Sequence, residues 1–204
     1  MKRSIGLQYY LLKGINPVIR FLVISDILII GAAGMFAPIF ALFIENYIEG
    51  ANEAVVGTAV AIYLITKSVF QIPIAAIIDK IRGEKDDYFI LAVFSVLMSL
   101  TPLLYLLVHT PIQLYGVQFL LGIFTAMTFP SFMAIFTRHI DKSREGTEWG
   151  VYFTLIDLSS ATLAAIGGYI AYTIGFRELI LIVSGISVTG SLILNFIRPH
   201  IRVK

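Results

Sequence analysis

Six long apolar runs, separated by short polar joints, organise this chain; they cover roughly 21–44, 54–78, 88–108, 112–137, 149–175 and 179–197. Each is long enough to cross a hydrocarbon core, which takes about 20 helical residues. Backbone groups in lipid must be satisfied within their own segment, so the runs are predicted to be helices. A β-barrel would show alternating segments of about 10 residues, and none occur. At the start, Tyr9, Tyr10 and Lys13 stand where a cleavable leader would carry its apolar stretch, so the first run is expected to span rather than to be removed. The pattern divides the chain into a segment 1–16 of interfacial or flexible character, a six-helix body 17–198 and a tail 199–204.

The joints set an orientation. Lys2, Arg3, Lys13 and Arg20 precede the first run, and Lys80, Arg82 and Lys85 follow the second. Arg138, Lys142 and Arg144 follow the fourth, and Arg198, Arg202 and Lys204 close the sequence. That is thirteen basic residues on one side against Arg177 on the other, where Glu45, Glu49 and Glu53 also lie. Positive charge stays inside, so both termini are expected in the cytoplasm. Tyr88, Trp149 and Tyr152 at the inner boundary, and Tyr47, Tyr105, Tyr115 and Tyr172 at the outer one, fit aromatic belts.

Composition narrows the chemistry. Of 204 residues, 58% are hydrophobic and 14% charged, where a soluble domain carries about 25% charged residues. Mean hydropathy is +0.88. With no cysteine, the chain has no disulfide, thiolate or cysteine-metal chemistry, and its three histidines lack metal-ligand spacing. No nucleophile elbow, zinc-protease motif or Walker A loop occurs, so neither an enzyme nor a bound cofactor is expected. Topology alone explains the short basic joints, with no nucleic acid invoked.

Two segments echo each other. Gly34-Met35-Phe36-Ala37-Pro38-Ile39-Phe40 and Ala126-Met127-Thr128-Phe129-Pro130-Ser131-Phe132 both read small-Met-x-x-Pro-x-Phe, in runs of opposite direction. Either membrane-helix composition repeats by coincidence, or the chain holds two inverted three-helix repeats, as transporter halves do.

Three stretches carry a resemblance to one six-helix half of the major facilitator superfamily. Gln118-x-x-x-Gly122-x-x-x-Ala126-x-x-x-Pro130 keeps the spacing of that family's fourth-helix motif, with Gln118 in place of its arginine. Ala75-x-x-x-Asp79-Lys80-x-Arg82-Gly83-Glu84-Lys85 is similar to its loop between helices two and three, with alanine for the first glycine and the second displaced by one. Ser159-x-x-x-Leu163-Ala164-x-x-Gly167-Gly168 keeps only the glycine pair of its antiporter motif. The resemblance implies an all-α membrane fold, six helices with N-in/C-in topology and two inverted repeats. It also implies a gating loop of Asp79, Lys80, Arg82 and Arg144, where Asp79 is either a latch or a solvated charge. Gly34, Pro38, Gly122, Ala126, Pro130, Gly167 and Gly168 would be packing and hinge positions. Small residues four apart allow close helix approach, and proline permits a bend.

Asp26, Lys67 and Asp157 are the ionisable residues deep in the runs. Each costs about 2.5–3.5 kcal/mol on insertion scales, so each should face a bundle interior or water. Tyr63, Lys67 and Gln71 form one stripe at i, i+4, i+8, and Thr154, Asp157 and Ser160 another at i, i+3, i+6; Gln118 is a further candidate. In one reading these groups bind substrate or carry a proton, with Asp157 foremost. In the other, Lys67 neutralises an aspartate in a permanent pair.

The expected activity is secondary active transport of a small solute, ion- or proton-coupled, by alternating access. The family has two such halves, so a homodimer or a partner half would complete the cavity; alternatively this is the amino-terminal half of a longer carrier. A non-transporting assembly factor and a channel are the competing classes. The cytoplasmic membrane of a prokaryote is the expected location.

Overall fold

The computed structural model of the protein describes residues 12–80 and 83–201, which are helical throughout apart from short joints, with no strand among them. The first span is α1 (Pro17–Phe36), a 3-10 turn at Ala37–Ile39, and α2 (Phe40–Tyr47). The second is α3 (Glu53–Lys80). The third is α4 (Lys85–Leu100), prolonged by a 3-10 stretch Thr101–Leu107. The fourth and fifth are α5 (Pro111–His139) and α6 (Glu145–Thr173). The sixth is α7 (Phe176–Ile193), prolonged by a 3-10 stretch Leu194–His200.

The helices run past the apolar runs at most ends because their polar flanks supply caps. The Asn16 side chain accepts from Val18 N at 2.9 Å and starts α1 before its proline. Thr110 and Gln113 form a reciprocal capping box at α5, with Pro111 in the first turn. The turns at Gly50 (φ +71°) and Gly175 (φ +119°) need conformations that a side chain would strain.

The two echoing prolines behave differently. Pro38 lies in the 3-10 break between α1 and α2, whereas α5 continues through Pro130. Pro73 likewise sits inside an unbroken α3. A missing N–H weakens a helix only locally, and packing on both sides of α5 holds it together.

Two apolar clusters occupy opposite ends of the bundle. One joins Val18, Leu22, Phe132, Phe136, Tyr152 and Ile197; the other joins Phe36, Phe43, Tyr105, Leu114, Leu179 and Val183. Between them runs a seam of small polar residues. Ser99 and Ser191 bond across α4 and α7 at 2.8 Å, and Ser25 donates to Gly190 O at 2.8 Å across α1 and α7. Such residues let backbones approach where lipid supplies no hydrophobic drive.

Around the bundle α3 packs on α5, α5 on α4, α4 on α7, α7 on α1, and α1 on α6. The second and fifth spans are therefore the least covered. In their most apolar stretches only 11% of residues are buried, against 39% and 44% in the first and fourth.

Of the expected N-terminal segment, residues 1–11 lie outside the described part, while Leu12 and Ile15 are buried in the core at that end. The expected tail starts as helix: Pro199 and His200 belong to the final 3-10 stretch and Ile201 is buried, with 202–204 outside the described residues.

Candidate functional site

The three intramembrane charges do not meet. Asp26 is half-buried on α1, and its Oδ2 accepts from the Tyr152 hydroxyl of α6 at 2.9 Å. Tyr152 is itself buried, held by the rings of Phe132 and Phe136 with centroids at 5.5 Å. Asp157 follows Tyr152 by five residues, about 140° further round the helix, which carries it off the α1 face. It is exposed on the open side of α6. Lys67, half-buried on α3, has its Nζ 5.1 Å from the centroid of the Phe129 ring on α5, a cation–π distance. Among the described residues no ion pair joins Lys67 to either aspartate.

The remaining candidates divide between the open side and the interior. Tyr63 and Gln71 are half-buried beside Lys67 along α3. Gln118 turns inward: it is buried, and its Nε2 donates to the Tyr105 hydroxyl at 3.3 Å. Tyr105 and Tyr152, expected in the interfacial belts, are thus interior hydrogen-bonding residues. Tyr47 and Tyr172 remain exposed.

The small residues fix how the spans meet. A Cβ on Gly167 would lie 2.2 Å from Met35 O, and one on Gly34 3.1 Å from Ser160 Cα, so α1 and α6 are in backbone contact. A Cβ on Gly122 would lie 2.8 Å from Thr66 Cβ and 2.9 Å from Tyr63 O, giving α5 and α3 the same closeness. Ala126 is fully buried in α5. Gly168 differs: nothing lies within 4 Å of its Cβ position.

At the basic end, Asp79 and Lys80 are exposed; among the described residues no ion pair joins Asp79 to Arg144, which lies 3.7 Å from Asp141. Arg82 falls outside the described residues. The contacts that tie this loop to α5 come from residues the sequence reading passed over. Arg138 pairs with the buried carboxylate of Asp87 and donates to Gly83 O at 3.4 Å; His139 Nε2 lies 3.8 Å from Glu84 Oε2, both side chains buried. The available signal was opposite charge at two helix ends on the same side: Glu84 to Asp87 opening α4, Arg138 and His139 closing α5. No metal-holding cluster occurs among the described residues.

The second and fifth spans are left open, with the exposed Asp157 set among exposed apolar side chains such as Ile65, Val69, Leu158 and Ile166, and are backed by closely packed helices. The model of the Major Facilitator Superfamily matches residues 22–203. An uncharacterized MFS-type transporter of Methanocaldococcus jannaschii is 26% identical over 144 residues, which is 71% of this chain and 36% of the relative. The in meso crystal structure of the POT family transporter PepTSo superposes with a TM-score of 0.69 at 12% identity, over 91% of this chain and 38% of that one. The chain thus spans less than two fifths of the length of either protein.

Proposed function

The chain belongs to the Major Facilitator Superfamily and is an integral, multi-pass membrane protein; from that premise we propose that it forms one half of a secondary active transporter of a small solute. One observation carries the proposal. The two spans that the bundle leaves most open, α3 and α6, are the ones bearing Lys67 and the exposed Asp157. A charge facing acyl chains is costly, so this face is built for water and for a second protein surface. Two copies with the same orientation bring two such faces together around one cavity, as does a partner half. Exposed Ile65 and Ile72 on α3 and Leu158 and Tyr169 on α6 would supply the apolar rim of that contact.

Within this reading Asp157 carries the coupling proton or binds the solute's charge, Lys67 balances it across the cavity, and Tyr63 and Gln71 add polar contacts. Asp26 sits behind the wall, bound to Tyr152, and sets how α6 lies on α1. The neighbour relations support two inverted three-helix repeats. Exchanging the first three spans with the last three turns the second–fourth contact into fifth–first, and third–fourth into sixth–first, both of which occur. The excess of basic residues at one end supports N-in, C-in topology.

The test is uptake by the full chain in proteoliposomes under an imposed proton gradient, after a solute is found by thermal stabilisation of the purified protein. Saturable, gradient-driven uptake that disappears in Asp157→Asn at equal protein abundance supports the assignment; undiminished uptake removes Asp157 from the mechanism. Unsaturable flux would mean a channel, and no flux for a stabilising solute would mean a scaffold. Single cysteines at Ile65 and Leu158 should cross-link between copies in membranes, and monomers alone would contradict the homodimer.

A further inference from the structure

A recess of about 690 Å³ opens at the basic end of the bundle, between α4 and the 3-10 stretch that ends the sixth span. It lies away from α3 and α6, and the transport reading makes no use of it. Its lining is ordered by chemistry. Lys85, Phe89 and Val93 follow one another at i, i+4 and i+8 along α4, so they form one stripe leading from the polar end towards the membrane core. Arg198 faces it from the sixth span. The Tyr88 hydroxyl donates to Asn195 Oδ1 at 3.0 Å, joining the two walls.

Lys85 and Arg198 are both exposed, and among the described residues neither has an ion-pair partner. Among the described residues the lining contains no carboxylate. Of the acids at the same helix start, Asp87 faces Arg138 on α5 and Glu84 lies by His139, while Asp86 does not line the recess. Phe89 is 66% exposed directly beneath the cations. Two uncompensated positive charges at the membrane boundary, above an exposed apolar strip, match the order of an anionic headgroup above its acyl chain. We infer that this recess is a binding site for one anionic phospholipid, with Lys85 and Arg198 on the phosphate and Phe89 and Val93 along the chain. Free phosphate would satisfy the cations and leave the strip unused, so the lipid is the better occupant. Each basic residue near a lipid surface favours anionic lipid by about 1 kcal/mol, so removing both should weaken binding about thirtyfold.

The full chain, purified in detergent, is equilibrated with mixed phosphatidylglycerol and phosphatidylcholine micelles, and retained lipid is counted by native mass spectrometry. The wild type should keep one phosphatidylglycerol in preference to phosphatidylcholine. Lys85→Gln with Arg198→Gln should lose that preference, whereas Lys142→Gln, at an exposed site of the same end, should not. Val93→Trp, which fills the strip and leaves both cations, should also lower retention. Retention unchanged in the double variant overturns the site, as does an equal loss in Lys142→Gln, which would mean general surface charge. Displacement by millimolar inorganic phosphate, with Val93→Trp having no effect, would overturn the lipid in favour of a phosphate site.

Discussion

Gly167 and Gly168 are neighbours in one helix, yet alanine should act on them with opposite sign. At Gly167 the added methyl would fall 2.2 Å from Met35 O and 2.7 Å from both Met35 C and Cα. Ordinary contact begins near 3.4 Å, so α1 and α6 would have to part by about 1.2 Å along that direction (3.4 − 2.2). Neither helix can yield through a rotamer, because the opposing atoms are backbone. Overpacking costs typically 1–3 kcal/mol, against which alanine's helix propensity returns at most about 1 kcal/mol. The separation would also stretch the Tyr152–Asp26 hydrogen bond, now 2.9 Å, on the same helix pair, adding about 1 kcal/mol. The net expectation for Gly167→Ala is a loss of about 1–3 kcal/mol. Gly168→Ala meets open space and should be neutral or stabilising by up to about 1 kcal/mol. Thermal unfolding in detergent, followed by the fluorescence of Trp149, the chain's one tryptophan, reads both. Trp149 stacks on Phe136 at 4.3 Å, so its emission reports the α5–α6 contact as well. Equal midpoints for the two variants, or a Gly167→Ala protein as stable as wild type, would refute the backbone contact between α1 and α6.

Other expectations follow from single contacts. Arg138→Gln leaves the Asp87 carboxylate buried without its cation, at a cost of about 3–5 kcal/mol; adding Asp87→Asn should recover most of the lost melting temperature, and no recovery would mean that Arg138 acts elsewhere. Tyr152→Phe removes one hydrogen bond to Asp26 and should lower stability by about 1 kcal/mol, while an unchanged midpoint would show the bond contributes nothing. Because the chain has no cysteine, Asn52→Cys and Ser143→Cys should label from opposite sides of an intact membrane. Labelling of both from one side would overturn the six-span topology.

The spans were legible because lipid imposes one rule along the whole chain: about 20 apolar residues, then charge. Gly34, Gly122 and Gly167 sit where helices approach so closely that a side chain would not fit. Gly168 shows the limit of that reading, because a helix pair uses one face and the next residue lies about 100° away. The same angular fact separates Asp157 from Tyr152, and hence from Asp26. Counting depth along the runs puts the three charges at one level but says nothing about azimuth, which depends on neighbours. Likewise Gln118 and Tyr105 read as lining and belt residues by position, yet they bond to each other inside. The ties at Asp87, Arg138, Glu84 and His139 join residues 51 and 55 apart in sequence, and no local pattern marks such pairs.

The placement of polar groups across the bundle gives the open face its meaning. Ser95, Ser99, Ser184, Ser187 and Ser191 are buried on α4 and α7; the Ser99 and Ser191 hydroxyls pair across the seam at 2.8 Å, and Ser191 also lies 3.1 Å from Ser187 O of its own helix. A hydroxyl can be satisfied that way inside a helix pair, so these spans can present apolar exteriors such as Phe89 and Leu192 to lipid. A carboxylate or an ammonium needs water or a counter-charge, and among the described residues Asp157 has no ion-pair partner. If the face were only a lipid boundary, replacing Asp157 by leucine would stabilise the protein by roughly the 2.5–3.5 kcal/mol that an aspartate costs in the membrane. If it lines a wet cavity shared with a second half, the same substitution should leave monomer stability nearly unchanged and abolish uptake. Measuring the melting point and the uptake of Asp157→Leu together therefore decides between a protein that tolerates a misplaced charge and one that uses it.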